Sequence, residues 1–204
     1  MIFTMLLKKR KIGIMSDNLI NQVKLAIKQD FHLVADDLNL LIEEKQPDAQ
    51  CKFVEIKLKK SIDCFGFSLD KDKGQGNNDP VYPFFNSQCQ GICSKNDGIL
   101  FLQKSNKVYV LLIEMKSTNP KGYLQQLKAA KSFVHFVLQR IKIFNVQINT
   151  EVEFRGLLFS CRRIPNEGTT KKQKITFEDR NGLLVTENPG NDTYYIQQFL
   201  EKID

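Results

Sequence analysis

The sequence predicts an α/β fold in which one mixed sheet is flanked by helices. The expected order is helix, three strands, helix, strand, followed by a C-terminal hairpin and a short helix. Three observations carry this. Two apolar, strand-like runs, 96–103 and 108–117, are separated by the polar Lys104-Ser-Asn-Lys107. Stretches with helical apolar spacing lie before and after them. A further apolar run, 152–161, follows the second helical stretch, and such alternation builds a sheet with helices packed on it.

From Ser16, the residues Leu19, Val23, Ile27, Val34, Leu38, Leu41 and Ile42 recur at helical spacing. Ser16 or Asp17 can cap a long first helix, with a break near Asp30 and an end at Pro47. On such a helix Asp30, Asp37 and Glu44 share one flank, positioned either for a site at the sheet edge or for water. Residues 51–60 alternate apolar with charged, which predicts a half-exposed strand. Residues 70–96, rich in Gly, Asn, Asp, Ser and Pro, form a long connection in which Val81–Phe85 packs one end down. After the two central strands, Ser117-Thr-Asn-Pro120 opens a second helix that runs to about Lys142, with Leu124, Leu127, Val134, Val137, Leu138 and Ile141 buried. Residues 162–174 form a basic loop. Runs 175–178 and 183–186 flank Asn181-Gly182, a strong hairpin signal, and 194–203 closes the chain as a helix.

The 204 residues fit a basic N-terminal extension, 1–15, and a single domain, 16–204. No apolar run reaches 18 residues, so no membrane span is expected. Met1–Leu7 is too short for a secretion signal, which makes the cytoplasm the expected location. The formal net charge is +7. It is concentrated in Lys8, Lys9, Arg10 and Lys11 and in Arg162, Arg163, Lys171, Lys172 and Lys174, which leaves a nearly neutral body. Positive charge clustered in this way suits a polyanion, nucleic acid being the commonest. The five cysteines are odd in number and irregularly spaced, so reduced, structural cysteines are expected in place of a disulfide framework or a zinc site.

The chemistry centres on the two middle strands. Sixteen residues separate Asp97 from Glu114, which suits two strands and a tight turn. Antiparallel pairing then brings Asp97 beside Glu114. Alternation puts Glu114 and Lys116 on one face and Met115 on the other. Two carboxylates and an ammonium meeting in this way can hold a hard cation beside a phosphodiester, with the Met115 carbonyl as a further oxygen donor. Lys116 can orient or deprotonate the attacking water, or neutralise charge on the phosphate. A second Glu-x-Lys, Glu55-Ile-Lys57, has no aspartate-led strand before it and reads as a solvent face.

Asp97, Glu114 and Lys116 in this context resemble the motif of the PD-(D/E)XK nuclease superfamily, the restriction-endonuclease-like fold. Its helix–three strands–helix–strand core resembles the order read from about Ser16 to Cys161. The resemblance implies a magnesium-dependent (or manganese-dependent) nuclease, with Asp97 and Glu114 as metal ligands and Lys116 as the catalytic lysine. Asn96 stands where the motif name has proline. Many members carry a glutamine on the following helix, for which Gln126 is preferred here over Gln125. Some add an acid from the first helix, for which Glu44 or Asp37 are the candidates. Arg162, Arg163, Lys171, Lys172 and Lys174 are the expected nucleic-acid contacts. DNA is favoured over RNA, endonuclease action is expected, and a homodimer is one expected state. Two other readings compete: a surface hairpin with ordinary charges, and a non-catalytic nucleic-acid-binding or assembly module on the same fold.

Overall fold

A computed structural model describes residues 18–70, 82–144, 150–162 and 175–201. The α/β class is met, but two mixed sheets stand where one was expected, together with two α-helices among these residues. The basic N-terminal run and residues 163–174 of the basic loop lie outside the described part, as does the proposed 1–15 extension.

Helix α1 spans Leu19–Ala26 and is capped by Asn18, whose side chain accepts the Ile20 N–H at 3.0 Å. The long first helix is therefore corrected to eight residues. Downstream, β1 (Ala35–Asp36) and β2 (Asn39–Glu43) form a hairpin in which Asp36 pairs with Asn39. Asp37 and Leu38 turn it with positive φ, 43° and 69°. The period-2 signal in β2 lies inside a series that also has helical spacing. Leu40 and Ile42 are buried while Leu41 is exposed, so packing against a second sheet overrides the helical spacing.

Strand β3 (Phe53–Lys57) pairs antiparallel with β2, and β10 (Asp192–Tyr195) pairs parallel with β3. The expected 51–60 strand thus belongs to a four-stranded sheet ordered β1-β2-β3-β10, not to the sheet of the two middle strands. Glu55 accepts the Thr193 hydroxyl at 2.8 Å, and Lys57 lies over the Tyr195 ring. This second Glu-x-Lys serves its own sheet.

The larger sheet contains β4 (Asp63–Phe67), β5 (Gly98–Lys104), β6 (Lys107–Lys116), β7 (Glu151–Ser160), β8 (Glu178–Asp179) and β9 (Leu184–Pro189), ordered β4-β5-β6-β7-β9-β8. Strand β4 is not expected from the sequence pattern. The pairs β4–β5 and β5–β6 are antiparallel, and β6–β7 and β7–β9 are parallel. Helix α2 (Tyr123–Phe144) supplies the crossover from β6 to β7, as parallel neighbours require. Gly156 permits its close approach, since a Cβ there would lie 2.9 Å from Leu127 Cδ1. The Asn181-Gly182 turn forms as expected, with φ of 56° and 81°. Over the described residues 194–201 the expected closing helix does not form. β10 and a short 3-10 turn, Ile196–Phe199, stand there instead.

Two apolar cores result. Ile99, Phe101, Val110 and Leu112 pack beneath α1 and α2, together with Val23 and Val134. Leu100, Leu111, Ile113, Leu157 and Phe159 face the smaller sheet through Leu40, Ile42, Val54 and Ile56. The molecule therefore has three layers: helices, large sheet and small sheet. Arg155 is buried between the Tyr109 and Phe177 rings. It donates to the Phe199 and Glu201 carbonyls and pairs with Glu153 at 2.6 Å.

Candidate active site

The β5–β6 ladder decides the geometry. Gly98 pairs with Ile113, and one further step sets Asp97 opposite Glu114. Asn96 finishes this end of the ladder: its Nδ2 donates to the Gly98 carbonyl at 2.5 Å and reaches the Ile113 carbonyl at 3.4 Å. Proline could make neither bond. Asp97 Oδ2 in turn accepts the Met115 N–H at 2.6 Å. The two strands are thereby held together where their backbone pairing ends.

Glu114 is only 1% exposed, and its Oε1 lies 2.7 Å from Lys116 Nζ. Lys116 remains half-buried, with 22% of its side chain open to solvent. Met115 packs in the opposite core, against the small sheet, as alternation requires. From α2, Gln126 donates its Nε2 to the Lys95 carbonyl at 3.2 Å. It thereby ties the helix to the segment that leads into Asp97, while Gln125 is exposed.

Asp97, Glu114, Met115, Lys116 and Gln126 all line one cleft of about 440 Å³, together with Glu44, Gln46, Asp48, Ala49 and Gln50. Glu44 reaches this cleft from beyond β2, not from the first helix as expected. Its Oε1 accepts the Gln46 N–H at 3.0 Å. Asp37 sits in the β1–β2 turn and does not line the cleft. Two further lining residues, Asp70 and Lys95, are not among those expected from the sequence; they form an ion pair at 3.6 Å. Lys95 directly precedes Asn96-Asp97-Gly98, and that adjacency is the one signal of it in the sequence. Asp70 follows the unexpected strand β4 and has no such signal. A second hollow of about 300 Å³ adjoins the first and shares Asp70 and Asp97 with it.

The donors in the cleft are carboxylate and carbonyl oxygens, the chemistry that suits a hard cation. Among the described residues no three His, Cys, Asp or Glu side chains are grouped so as to hold a metal ion. An ion bound there would have at most one or two of these carboxylates, not a full protein cage.

Of the expected nucleic-acid contacts only Arg162 is described. Its guanidinium is held by both carboxylate oxygens of Glu187, and Ser160 Oγ donates to the same carboxylate at 2.8 Å. Arg163, Lys171, Lys172 and Lys174 lie outside the described residues. No described helix is long and apolar enough to cross a membrane. No family model matches the chain, and neither a curated protein nor a solved structure does so.

Proposed function

We propose that the chain is a metal-dependent nuclease that hydrolyses phosphodiester bonds, with DNA as the favoured substrate and endonucleolytic cleavage as the favoured mode. The observation that carries this reading is the meeting of Asp97, Glu114 and Lys116 in one cleft at the end of the β5–β6 ladder. The order α1, β4, β5, β6, α2, β7 also supports a restriction-endonuclease-like core. In this reading the β1–β3 segment is an insertion between the first helix and first core strand.

Magnesium or manganese, when bound, would supply an activated water and polarise the phosphate. Asp97 and Glu114 would hold it, with the Met115 carbonyl and Glu44 as further oxygen donors. Lys116, directed by Glu114, orients the attacking water and balances the charge that builds on the phosphate. Gln126 and Asn96 keep the Asp97 segment in place through the Lys95, Gly98 and Ile113 carbonyls.

The test is incubation of the purified protein with supercoiled plasmid, linear duplex, single-stranded DNA and RNA, with magnesium, manganese or chelator. Nicked or linear plasmid should form with metal and not with chelator. Cleavage that survives both Glu114→Gln and Lys116→Met would move the site elsewhere. A folded protein that binds DNA but cuts nothing would favour a non-catalytic binding or assembly module. The direct Glu114–Lys116 pair and the lack of a three-residue metal group among the described residues are compatible with that second reading.

A further inference from the structure

The cleft is backed by two thiols brought together from opposite sheets. Cys51 lies just before β3 and is 1% exposed, whereas Cys161 follows β7 and is half-buried; both are free. They crowd the same point in space. A Cβ built on Gly190 would lie 2.1 Å from Cys51 Sγ and 3.1 Å from Cys161 Sγ. Only the bare glycine backbone leaves room for both sulfurs.

The pair is wired to the cleft wall. The Cys161 N–H donates to the Ser117 carbonyl at 2.8 Å and the Lys116 carbonyl at 3.2 Å. The Cys161 thiol donates to the Gln50 carbonyl at 3.5 Å, and the Asn191 amide donates to that carbonyl at 2.8 Å and to Cys161 Sγ at 3.4 Å. The Gln50 N–H returns to Ser117 Oγ at 3.0 Å. Gln50, Lys116 and Ser117 all line the cleft.

We propose that Cys51 and Cys161 are an oxidative modification site, a dithiol that a peroxide converts to a reversible disulfide, fastening the Gln50 wall of the cleft to the end of β7. Cys161, the more accessible sulfur, reacts first. It gives up its proton and attacks one peroxide oxygen, so that an S–O bond forms, the O–O bond breaks and hydroxide leaves to become water. The Cys51 sulfur then attacks Cys161 Sγ. The S–S bond forms, the S–O bond breaks, and the departing hydroxide takes the Cys51 proton as a second water. The two thiols lose two electrons and the peroxide gains them. Burial, the neighbouring Cys161 sulfur and the Asp97 charge push the Cys51 thiol up to about 12. It therefore stays protonated, which leaves Cys161 as the sulfur that meets peroxide first.

The dithiol stands whether or not the cleft cuts phosphodiesters; only an effect on cleavage rests on that reading. Its test accordingly uses no substrate. The full chain, with Cys89→Ser and Cys93→Ser in place to remove the other close pair, is treated with hydrogen peroxide under native conditions, alkylated in denaturant and digested. The expected result is a linked Cys51–Cys161 peptide, a protein mass lower by two hydrogens, and full reversal by a thiol reductant. Amide exchange at Gln50 and Ser117 should slow in the oxidised form. Cys161→Ser, at the half-exposed position, should fold with an unchanged circular dichroism spectrum and yield no linked peptide. Recovery of both cysteines as alkylated thiols, or of Cys161 over-oxidised with Cys51 still free, overturns the proposal.

Discussion

Lys116 Nζ and Glu114 Oε1 stand 2.7 Å apart, two positions along one strand, in the lining of the cleft. One member is almost fully buried and the other half-open, so the pair presents an ammonium whose direction is set from below. Lys116→Met should lower metal-dependent cleavage by about 100-fold or more, the range for a positioned proton-handling group. Glu114→Gln should do the same. Because the two groups act together, the double variant should be little worse than either single one. Rates on supercoiled plasmid, with circular dichroism to establish folding, test this; fully additive losses would mean the groups act separately.

Asn96 makes a second prediction, on stability. Its Nδ2 serves two backbone carbonyls in a site that is 1% exposed. Asn96→Asp replaces that donor with an oxygen facing both carbonyls, and should cost about 1–3 kcal/mol at neutral pH. The loss should shrink in acid, because the protonated carboxyl can donate again. Urea unfolding at several pH values measures this, and a loss that does not vary with pH would place the side chain elsewhere.

Glu153 gives a pH-dependent prediction with a definite sign. Burial opposes its charge, but hydrogen bonds from Lys107 and Arg155 outweigh burial and hold the carboxyl below its ordinary value of 4.5. A carboxyl lowered in the folded state contributes stability that is complete above the unfolded value and is lost as pH falls through the folded one. Glu153→Gln should therefore cost about 1–3 kcal/mol near pH 7. The gap between the two proteins should narrow on acidification below about pH 4.5. A difference that is constant with pH would assign the role to packing.

Gly190→Ala should destabilise the protein by about 1–3 kcal/mol through overpacking, because its Cβ would fall 2.1 Å from Cys51 Sγ. Cys51→Ala in the same chain removes the sulfur and should recover part of the loss. A double-mutant cycle by chemical denaturation reads the coupling. Strict additivity would show that the backbone has moved aside.

For nucleic acid, the engagement of Arg162 with Glu187 predicts that Arg162→Ala changes affinity little. Replacing Lys171, Lys172 and Lys174 together should reduce the slope of log affinity against log salt by up to about 0.9 for each phosphate no longer neutralised. Fluorescence anisotropy with a labelled duplex provides the measurement. An unchanged slope takes these lysines out of the interface.

The residues that share a strand or a ladder are legible in the sequence. Asp97, Glu114 and Lys116 follow from hairpin length and alternation, whereas Gln126 is singled out only through the resemblance to the nuclease superfamily. What cannot be read depends on a partner distant along the chain. Leu40 and Ile42 are strand residues only because a second sheet covers them, and their local spacing also suits a helix. Tyr194 reads as the start of a helix until β3 is there to pair with it. Asp70 and Lys95 come together across a connection with no periodicity. The charge pattern also conceals that Arg155 is buried, since nothing local distinguishes it from a surface arginine.

The crossing from β9 to β10 has a consequence for synthesis on the ribosome. Residues 184–189 complete the large sheet beside β7, and residues 192–195 complete the small one beside β3. The turn between them carries the chain from one layer to the other. Until those dozen residues have emerged, a nascent chain presents two unfinished sheet edges, one of them long and apolar. Such edges invite pairing with other chains. A translation pause or a cut before Leu184 should yield an aggregation-prone fragment, not a smaller stable domain.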